Sequence, residues 1–319
     1  MIYPKPMALG PRHLGVVLPL LVMAAAGCDK KSASTPAESA SVAVPPPTES
    51  AAAPVASAPA DAGAPDASKE SAFPPAKTEG CPDGMIRVEG EYCPVVIEKC
   101  DEHHPEYVAH KGDKNVSERC LHYEKPSRCF VKERKHLSFC IDRFEYPNEV
   151  GELPRVLTSW LQARDMCDKI GKRLCTEDEF NFACEGPEML PQVNGYDRDP
   201  KVCNIDKPYH QPDHSRQMLT YDKCMETDWC KAEMDRLDQR HRIGAVNTCV
   251  SWAGVVDMNG NVNEWVELPG KKHPNRSGLK GGWWGPVRNR CRPTVTFHKE
   301  FDYGYEAGFR CCKDAADGG

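Results

Sequence analysis

The sequence has no hydrophobic run long enough to cross a membrane. Its one extended apolar stretch, Leu14–Ala26, has the length of a signal-peptide core, whereas a spanning helix needs about 20 apolar residues. The sequence also has no basic stripe, because its 41 lysines and arginines are interspersed with 47 acids and the net charge is −6. A nucleic-acid partner is therefore not expected.

Two motifs with known chemistry are missing as well. The cysteines are irregularly spaced and form no pair of C-x2-C motifs, so they do not indicate a structural zinc site. Serines and histidines are scattered without a nucleophile elbow, which argues against a hydrolase triad. His103 and His104 lie near Cys100 and could bind a metal, but a solvated loop is the simpler interpretation.

Cysteine is almost absent from the first 80 residues. The exception, Cys28, follows Ala25-Ala26-Gly27 at the end of the apolar stretch and resembles a lipobox. Residues 1–28 are therefore predicted to be a lipoprotein signal peptide, with the lipid carried on the Cys28 thiol. An ordinary secretory signal with a chance cysteine is the alternative.

Large apolar side chains are nearly absent from residues 29–79, which consist mainly of Ala, Pro, Ser and Thr. Such a segment buries too little surface to offset the entropy of ordering. It is predicted to be a disordered tether between lipid and domain, at the periplasmic face or the cell surface. Residues 315–319 are predicted to be a disordered tail, which leaves 80–314 for the folded domain.

The remaining sequence is rich in cysteine. Sixteen cysteines lie between Cys81 and Cys312, an even number in a chain with an export signal. This combination predicts a disulfide-bonded domain in an oxidising compartment. The domain is long enough for one hydrophobic core, and it contains no internal repeat.

Periodicity predicts two helices. Apolar residues at helical spacing indicate a helix over Ser159–Ile170. A second is predicted over Thr176–Cys184, where Thr176 and Glu179 form a capping-box pattern. Elsewhere the pattern favours short strands and long ordered loops held by disulfides. Residues 91–139 are charged and show no clear period, so they are interpreted as an insertion attached to the core.

A compact turn, Asp257–Trp265, carries two acids around glycine and asparagine. Asp257 and Glu264 stand seven positions apart. Carboxylate oxygens and the carbonyls of a bent backbone are the ligands that a hard cation prefers. The alternative is a turn held by side-chain hydrogen bonds of Asn259 and Asn261, with Glu264 in a salt bridge.

Several blocks, in order, resemble the formylglycine-generating enzyme (sulfatase-modifying factor) family. One of them is the turn itself, Gly260-Asn261-Val262-Asn263-Glu264-Trp265. The others are Cys81-Pro82-Asp83-Gly84-Met85, Phe139 to Asn148, Gly171-Lys172-Arg173-Leu174-Cys175-Thr176-Glu177, Lys280-Gly281-Gly282-Trp283-Trp284 and Gly308-Phe309-Arg310-Cys311. No single block is decisive, but together they span residues 81–312, and their common order argues against a chance match.

The resemblance implies an α+β fold with little regular secondary structure, rich in disulfides and distantly C-type-lectin-like. It implies two disulfides, Cys167–Cys311 and Cys184–Cys291, each closing a loop of more than a hundred residues. Loops of that length make a cross-link strongly stabilising. The sequence does not pair the other twelve domain cysteines.

Calcium is the cofactor that the resemblance implies for the turn. Asp257 and Glu264 would bind it through side chains, and Gly260 and Val262 through carbonyls. A second candidate position lies at Asn204-Ile205.

The family's oxidase chemistry does not carry over intact. Formylglycine-generating oxidases bind copper with two thiols, a C-x4-C pair after Gly-Gly-Ser. Here Trp283 replaces the serine and Pro286 stands at the first thiol. Cys291 falls either at the second thiol or at the structural partner of Cys184. No copper is expected, and the domain is predicted to be a non-catalytic binding module.

The alternative is a formylglycine-generating oxidase or a related metal-dependent oxidoreductase, with Cys291 as its catalytic residue. A branch of the superfamily uses a non-haem iron held by a facial set of histidines. The histidines of residues 91–139 lack the spacing of such a set.

A ligand groove is predicted at the double glycine. Trp283 and Trp284 would stack on a sugar or a peptide. Arg288, Arg290 and Arg292 would form an anion-reading rim. One indole in the core, and arginines paired with nearby acids, are the alternatives. The predicted partners are the membrane, through the lipid, and an envelope protein or cell-wall ligand. The oligomeric state is left open.

Overall fold

The computed structural model describes residues 73–111 and 117–316. The predicted signal peptide, the predicted lipidation site Cys28, nearly all of the predicted tether and residues 317–319 of the predicted tail lie outside these residues. Within the described ranges, no helix is both long and apolar enough to cross a membrane.

Regular secondary structure is short and scattered. The strands are β1 Met85–Tyr92, β2 Val96–Ile97, β3 Cys100–His103, β4 Cys120–Tyr123, β5 Arg128–Cys129, β6 Lys135–Asp142, β7 Arg173–Leu174, β8 Asn263–Glu267, β9 Ser277–Lys280, β10 Ala307–Gly308 and β11 Cys311–Asp314. The helices are α1 Pro105–Ala109, α2 Trp160–Lys169, α3 Glu177–Glu185, α4 Tyr221–Met225 and α5 Asp228–Leu237. Long ordered loops join these elements, which confirms the predicted α+β fold with little regular structure.

The main sheet has four antiparallel strands in the order β1-β6-β11-β7. β1 and β6 pair over eight residues, from Met85 opposite Asp142 to Tyr92 opposite Lys135. A three-stranded sheet, β10-β8-β9, contains the strand that ends the Asp257–Trp265 turn. This second sheet brings the Gly-Phe-Arg block beside the turn.

The two predicted helices form where the capping signals place them. Ser159 and Thr176 each cap a helix within a complete capping box. α2 and α3 therefore begin one residue after the predicted starts. Glu185 extends α3 by one residue before Gly186 ends it.

Helix α5 is not among the predicted helices. Its buried residues, Cys230, Met234 and Leu237, are spaced as on one helical face. Thr227 precedes it without a side-chain cap, so the local start signal is weak. The Cys224–Cys230 disulfide links α5 to α4.

All sixteen domain cysteines form disulfides. Cys167–Cys311 and Cys184–Cys291 are the two pairs that the family resemblance implies. The other six are Cys81–Cys140, Cys93–Cys129, Cys100–Cys120, Cys175–Cys312, Cys203–Cys249 and Cys224–Cys230. Together they fasten loops that bury little apolar surface of their own.

The β1–β6 connection, residues 93–134, has structure of its own. Its described part contains α1, a β2–β5 pair and a β3–β4 pair. Two disulfides, Cys93–Cys129 and Cys100–Cys120, lie wholly within it. The predicted insertion, residues 91–139, includes parts of both long strands. Glu91 and Tyr92 belong to β1 and residues 135–139 belong to β6, and these parts take part in the β1–β6 pairing.

The apolar core is divided into clusters. The largest packs β1 and β6 against α3. Another packs α4 and α5 against the loop that follows β9, and its members include Trp283, Trp284 and Tyr305. This second cluster forms the support of the site described next.

Candidate functional site

The chain turns sharply after β9 at a double glycine. Gly281 and Gly282 have φ angles of 78° and 77°, in the left-handed region that favours glycine. A Cβ on Gly282 would lie 2.8 Å from the backbone of Asn289, so a side chain does not fit there. The two glycines let the loop approach its neighbour closely and place two indoles side by side.

Trp283 and Trp284 have different environments. Trp284 is 1% exposed and packs into the cluster around α4 and α5. Trp283 is 7% exposed and lines a cavity. The two ring centroids are 5.2 Å apart at an angle of 67°. Both indoles therefore belong to the same buried cluster, and of the two it is Trp283 that lines the cavity.

The cavity beside Trp283 has a volume of about 240 Å³. Tyr209 and Tyr305 stand nearly perpendicular to the Trp283 ring, with centroid distances of 6.2 and 5.8 Å. The other lining residues are Pro212, His214, Asn263, Pro286, Val287, Arg288 and Glu306. We call this cavity the Trp283 groove.

Two polar groups of the Trp283 groove lack hydrogen bonds within the described part of the chain. Asn263 is 4% exposed; its main-chain N–H donates to Glu306, but its carboxamide bonds to none of these residues. The indole N–H of Trp283 likewise donates to none of them. Neither group is among the buried side-chain atoms that lack a partner in the described residues. Both are therefore open to solvent in the groove, where they are available for hydrogen bonding.

Of the three predicted rim arginines, Arg288 lies at the groove. Its guanidinium sits 5.7 Å from the ring centroid of Phe297, which is exposed. Arg288 also has a left-handed backbone, with a φ of 60°.

The guanidinium of Arg290 makes its contacts away from the groove. It donates to Glu98, Glu118 and the hydroxyl of Tyr123, all of which lie in the β1–β6 connection. It does not line the groove. The prediction of a rim residue is wrong for Arg290, because its partners hold it against that connection.

Arg292 is also held away from the groove. It donates to both carboxylate oxygens of Glu185 on α3 and to the carbonyl of Cys93. The same guanidinium contacts the hydroxyl of Tyr92 at 3.2 Å. The rim prediction is therefore wrong for Arg292 too, since it joins α3 to the end of β1.

The groove contains no thiol among the residues described. Pro286, which stands at the first active thiol of the family, is a lining residue. Cys291 is fully buried in its disulfide with Cys184. Of the two positions that the sequence allowed for Cys291, the structure has the structural one.

The Asp257–Trp265 turn is joined to the end of the chain by an ion pair. Both oxygens of Glu264 accept hydrogen bonds from the Arg310 guanidinium, at 2.6 and 2.7 Å. Both side chains are 1% exposed. The N–H of Val262 donates to another buried acid, Glu145, at 3.1 Å.

Asparagine side chains complete the turn. The Asn259 carboxamide oxygen accepts from the N–H of Val193 at 2.8 Å. Asn261 donates to Glu145 at 2.6 Å. Together with the Glu264 ion pair, these contacts are those of the alternative that the sequence left open, a turn held by side-chain hydrogen bonds.

Buried negative charge exceeds buried positive charge around Arg310. Glu145, Asp257 and Glu264 are all nearly inaccessible. Burial, with the neighbouring Asp257 and Glu264 carboxylates, raises the pKa of Glu145 well above its usual range. Burial raises the pKa of Asp257 to about 7, although Arg310 opposes the shift. Protons or a cation must therefore balance this cluster at neutral pH.

The predicted calcium ligands fit a cation in part. The carboxylate of Asp257 has no hydrogen bond to any described residue, and Gly260 and Val262 follow it in the same bent turn. Glu264, by contrast, is already engaged by Arg310. A cation held here would be bound by the Asp257 carboxylate and by main-chain oxygens, and it would share the Glu264 carboxylate with Arg310.

The second candidate position, Asn204-Ile205, lies against the same turn. The main-chain oxygen of Asn204 accepts from the N–H of Asn261, and a Cβ on Gly260 would lie 2.3 Å from it. The side-chain oxygen of Asn204 is buried without a hydrogen-bond partner. An orphan buried oxygen is a suitable ligand atom for a hard cation.

One other group of metal-binding side chains converges within the described ranges. Ligand atoms of Cys100, His103 and Glu118 lie within 4.8 Å of one another. Cys100 is bonded to Cys120, so it offers no thiolate. The Nε2 atom of His103 lies 3.0 Å from a carboxylate oxygen of Glu118, so these two side chains form a polar pair that needs no metal.

Sequence reasoning did not identify the walls of the groove. Tyr209, Tyr305, Glu306 and Asn263 come from three distant parts of the chain. Asn263 lies within the Gly260–Trp265 block, and Tyr305 lies three residues before the Gly308–Cys311 block. Only the folded chain shows that they share a cavity with Trp283.

A family model and several solved structures are similar to this chain. A family model described as "Sulfatase-modifying factor enzyme 1-like domain" matches residues 102–315. Among solved structures, CarF shares 16% identity over 73% of this chain and 98% of its own (TM-score 0.41). PvdO from Pseudomonas aeruginosa shares 14% identity over 74% of this chain and 95% of its own (TM-score 0.41). Treponema denticola variable protein 1 shares 14% identity over 71% of this chain and 99% of its own (TM-score 0.40). Because the family model covers more than half of the sequence, this chain belongs to the sulfatase-modifying factor (formylglycine-generating enzyme) domain family.

Proposed function

We propose that this protein is a membrane-tethered envelope lipoprotein whose domain binds a ligand in the Trp283 groove and does not catalyse oxidation. The ligand would be a protein, peptide or glycan of the cell envelope. The observation that carries the proposal is the groove itself: three aromatic rings border a cavity of about 240 Å³, at which the Asn263 carboxamide has no hydrogen bond to a described residue. Aromatic surface with a few placed polar groups is typical of binding sites.

The sulfur chemistry supports a binding role. A copper-dependent oxidase of this family needs two thiolates, because soft sulfur ligands hold the metal. Pro286 has no ligand atom, and Cys291 is in a buried disulfide. The residues that line the groove therefore supply hydrogen bonds and aromatic contacts in place of redox ligands.

Calcium is the cofactor that we propose for the Asp257–Trp265 turn. The excess of buried carboxylates around Arg310 and the orphan oxygen of Asn204 support it. A cation there would offset charge that is otherwise costly to bury. Its role would be structural, because the turn leads into β8 and holds Asn263 at the groove.

The site of action follows from the disulfides and the N-terminal sequence. Eight disulfides indicate an oxidising, extracytoplasmic environment. We propose that the Cys28 lipid holds the domain at the envelope through residues 29–79. In a Cys28→Ser chain we expect the protein to leave the membrane fraction, as measured by fractionation and immunoblotting. Retention of that variant in the membrane would refute the anchor.

The binding role is tested with purified cell-wall sacculi and detergent-solubilised envelope protein. We expect the full-length exported chain to co-sediment with one of them, and Tyr209→Ala to reduce the bound fraction at least tenfold. Tyr209 is 55% exposed, so this change should not disturb folding. Phe130→Ala, which removes another exposed aromatic side chain (71% exposed) outside the groove, is the control.

The contrary outcome is equally specific. Stoichiometric copper or iron in the purified protein, with oxygen-dependent oxidation of a thiol peptide that is lost on Cys291→Ser, would make it an enzyme. Equal binding by the Tyr209→Ala and Phe130→Ala chains would place the ligand elsewhere.

A further inference from the structure

We infer that the folded domain contacts an anionic lipid surface through two neighbouring loops, residues 269–276 between β8 and β9 and residues 296–302 before β10. We call them together the two-loop surface. The inference goes beyond the proposed function, because it concerns a lipid contact made by the domain itself and does not depend on what the Trp283 groove binds. Exposed aromatic rings, exposed lysines and the contacts that join the two loops support it.

The second loop exposes two phenylalanines. Phe297 is 54% exposed and Phe301 is 58% exposed. Three of the nine phenylalanines of the chain are exposed, and two of these three lie in this loop. Phe301 lies within a tight turn, in which the N–H of Asp302 donates to the carbonyl of Lys299 at 2.9 Å. Aromatic side chains that project from a fixed backbone can enter the headgroup region of a bilayer.

The first loop exposes two lysines. Lys271 and Lys272 are adjacent in sequence, and neither has a side-chain hydrogen bond or an ion pair with a described residue. The two loops together carry four lysines and arginines and two acids, whereas the whole chain has a net charge of −6. This local excess of positive charge is complementary to a surface of anionic lipids.

The two acids of the loops do not offset the exposed lysines, because each is already engaged. Glu300 is buried and accepts two hydrogen bonds of 2.8 Å from the guanidinium of Arg276. Asp302 accepts from the main-chain N–H of Lys299 at 2.8 Å, inside its own turn. The charge presented to solvent therefore comes from the lysines.

Contacts between the loops make them one surface. The ammonium of Lys299 donates to the carboxamide oxygen of Asn275 at 2.5 Å. The Nδ1 atom of His273 lies 2.9 Å from a carboxylate oxygen of Glu300. The ring of Phe297 lies 5.7 Å from the guanidinium of Arg288, a residue of the Trp283 groove. The phenylalanines and lysines therefore share one face of the domain, beside the groove.

A contact of this kind orients the domain and does not anchor it. One lysine near an anionic surface raises the binding constant about fivefold. The effect falls off within the Debye length, which is about 10 Å at 0.1 M salt and about 3 Å at 1 M. Binding by a few lysines and two rings is therefore weak and is removed by a salt wash, so retention of the chain still depends on the proposed lipid at Cys28.

The test uses the full-length exported chain with Cys28→Ser, so that no acyl chain contributes to binding. Flotation measures its association with vesicles of phosphatidylcholine, with and without phosphatidylglycerol. We expect binding to the vesicles that contain phosphatidylglycerol, binding at least tenfold weaker to pure phosphatidylcholine, and release in 1 M salt.

The aromatic part is tested with Phe297→Ser/Phe301→Ser in the Cys28→Ser chain. We expect its affinity for the phosphatidylglycerol vesicles to fall at least tenfold, because both rings lose their contact with the headgroup region. Both side chains are more than half exposed, so the melting temperature should not change. Phe130→Ser, which changes an exposed phenylalanine outside the two loops, should bind as the parent does.

The charged part is tested with Lys271→Gln/Lys272→Gln in the same chain. Removing two charges should also lower the affinity for these vesicles at least tenfold. Lys132→Gln/Lys231→Gln is the matched control, since it removes the same charge from exposed positions outside the two loops. This control should keep the parent's affinity.

Four results would overturn the inference. They are no binding to the phosphatidylglycerol vesicles, equal binding to both kinds of vesicle, unchanged binding of both paired variants, and losses in the control variants as large as those in the paired variants. Capture of an envelope protein that depends on Phe297 and Phe301, without vesicle binding, would assign the surface to a protein partner. None of these results bears on the proposed function, because Tyr209→Ala tests the groove separately.

Discussion

Asp257 is the residue whose chemistry most depends on what surrounds it. It has a left-handed backbone, a buried carboxylate and a pKa raised to about 7 by burial. Its acid lies next to Glu264, which Arg310 already neutralises. The remaining charge has to be met by a proton or by a cation.

This gives the first prediction, on calcium. We expect calcium to raise the melting temperature of the wild-type chain above its value in chelator. Asp257→Asn should lose this shift and should be no less stable than wild type in chelator, because the amide removes a buried charge. Asp222→Asn is the control, since that exposed acid is paired with Arg155. An unchanged melting temperature of the wild type on calcium addition would remove calcium from the proposal.

Lys280 carries the second prediction, on pH. It is buried over Phe180, and burial lowers its pKa to about 7, far below its usual 10.5. Between these values the unfolded chain holds a proton that the folded chain lacks. Stability should therefore rise as pH increases from 7 towards 10, by at most about 1.4 kcal/mol per pH unit.

The check is denaturant unfolding at several pH values. Lys280→Met should lose the rise, whereas Lys271→Met, which changes an exposed lysine, should keep it. Burial also raises the pKa of Glu185 to about 7, but that group favours the folded state only as pH falls below 7. A flat profile for the wild type above pH 7 would contradict the prediction.

Among the elements, α3 shows how a local signal fixes a boundary. Thr176 accepts from the N–H of Glu179, and the Glu179 carboxylate accepts from the N–H of Thr176. This reciprocal pair satisfies two donors that the first helical turn leaves open. α3 in turn carries Cys184 to its bond with Cys291 beside the groove loop.

The third prediction concerns this cap. Thr176→Ala should reduce the free energy of unfolding by about 1 kcal/mol, measured by chemical denaturation. Thr220→Ala is a matched control, because Thr220 precedes α4 without a side-chain cap. Equal losses in both variants would mean that the hydroxyl of Thr176 contributes nothing through capping.

In the molecule as a whole, disulfides supply part of the stability that otherwise comes from a hydrophobic core. Sixteen cysteines tie together a chain in which short elements alternate with long loops. A disulfide stabilises more when it closes a longer loop, because it removes more freedom from the unfolded chain.

The fourth prediction compares two buried disulfides. Cys167–Cys311 spans 144 residues and Cys224–Cys230 spans 6. Replacing both cysteines of the long link by alanine should cost about 5 kcal/mol, and the same change at the short link about 2.2 kcal/mol, by loop closure. Urea unfolding of the two double variants measures the difference. A short-link variant that is the less stable of the two would show that strain or packing outweighs loop entropy.

Sequence information was sufficient where the signal is local. The capping boxes at Ser159 and Thr176 placed two helices to within a residue. It was insufficient for α5, whose packing face is clear only once Cys230, Met234 and Leu237 meet the second core cluster. It also could not separate Trp283 from Trp284, because neighbouring residues with the same side chain differ only in what folds against them.

The sequence by itself determined the family, the disulfide-rich character and the absence of the first oxidase thiol, where Pro286 stands, because each depends on which residues are present and in what order. The tertiary structure alone decided which arginine stays at the groove, which indole faces it and which residues complete its walls. Arg290 pairs with an acid of the β1–β6 connection, and Arg292 pairs with an acid of α3. Charge pairing and burial act between residues far apart in sequence, and only the folded chain brings them together.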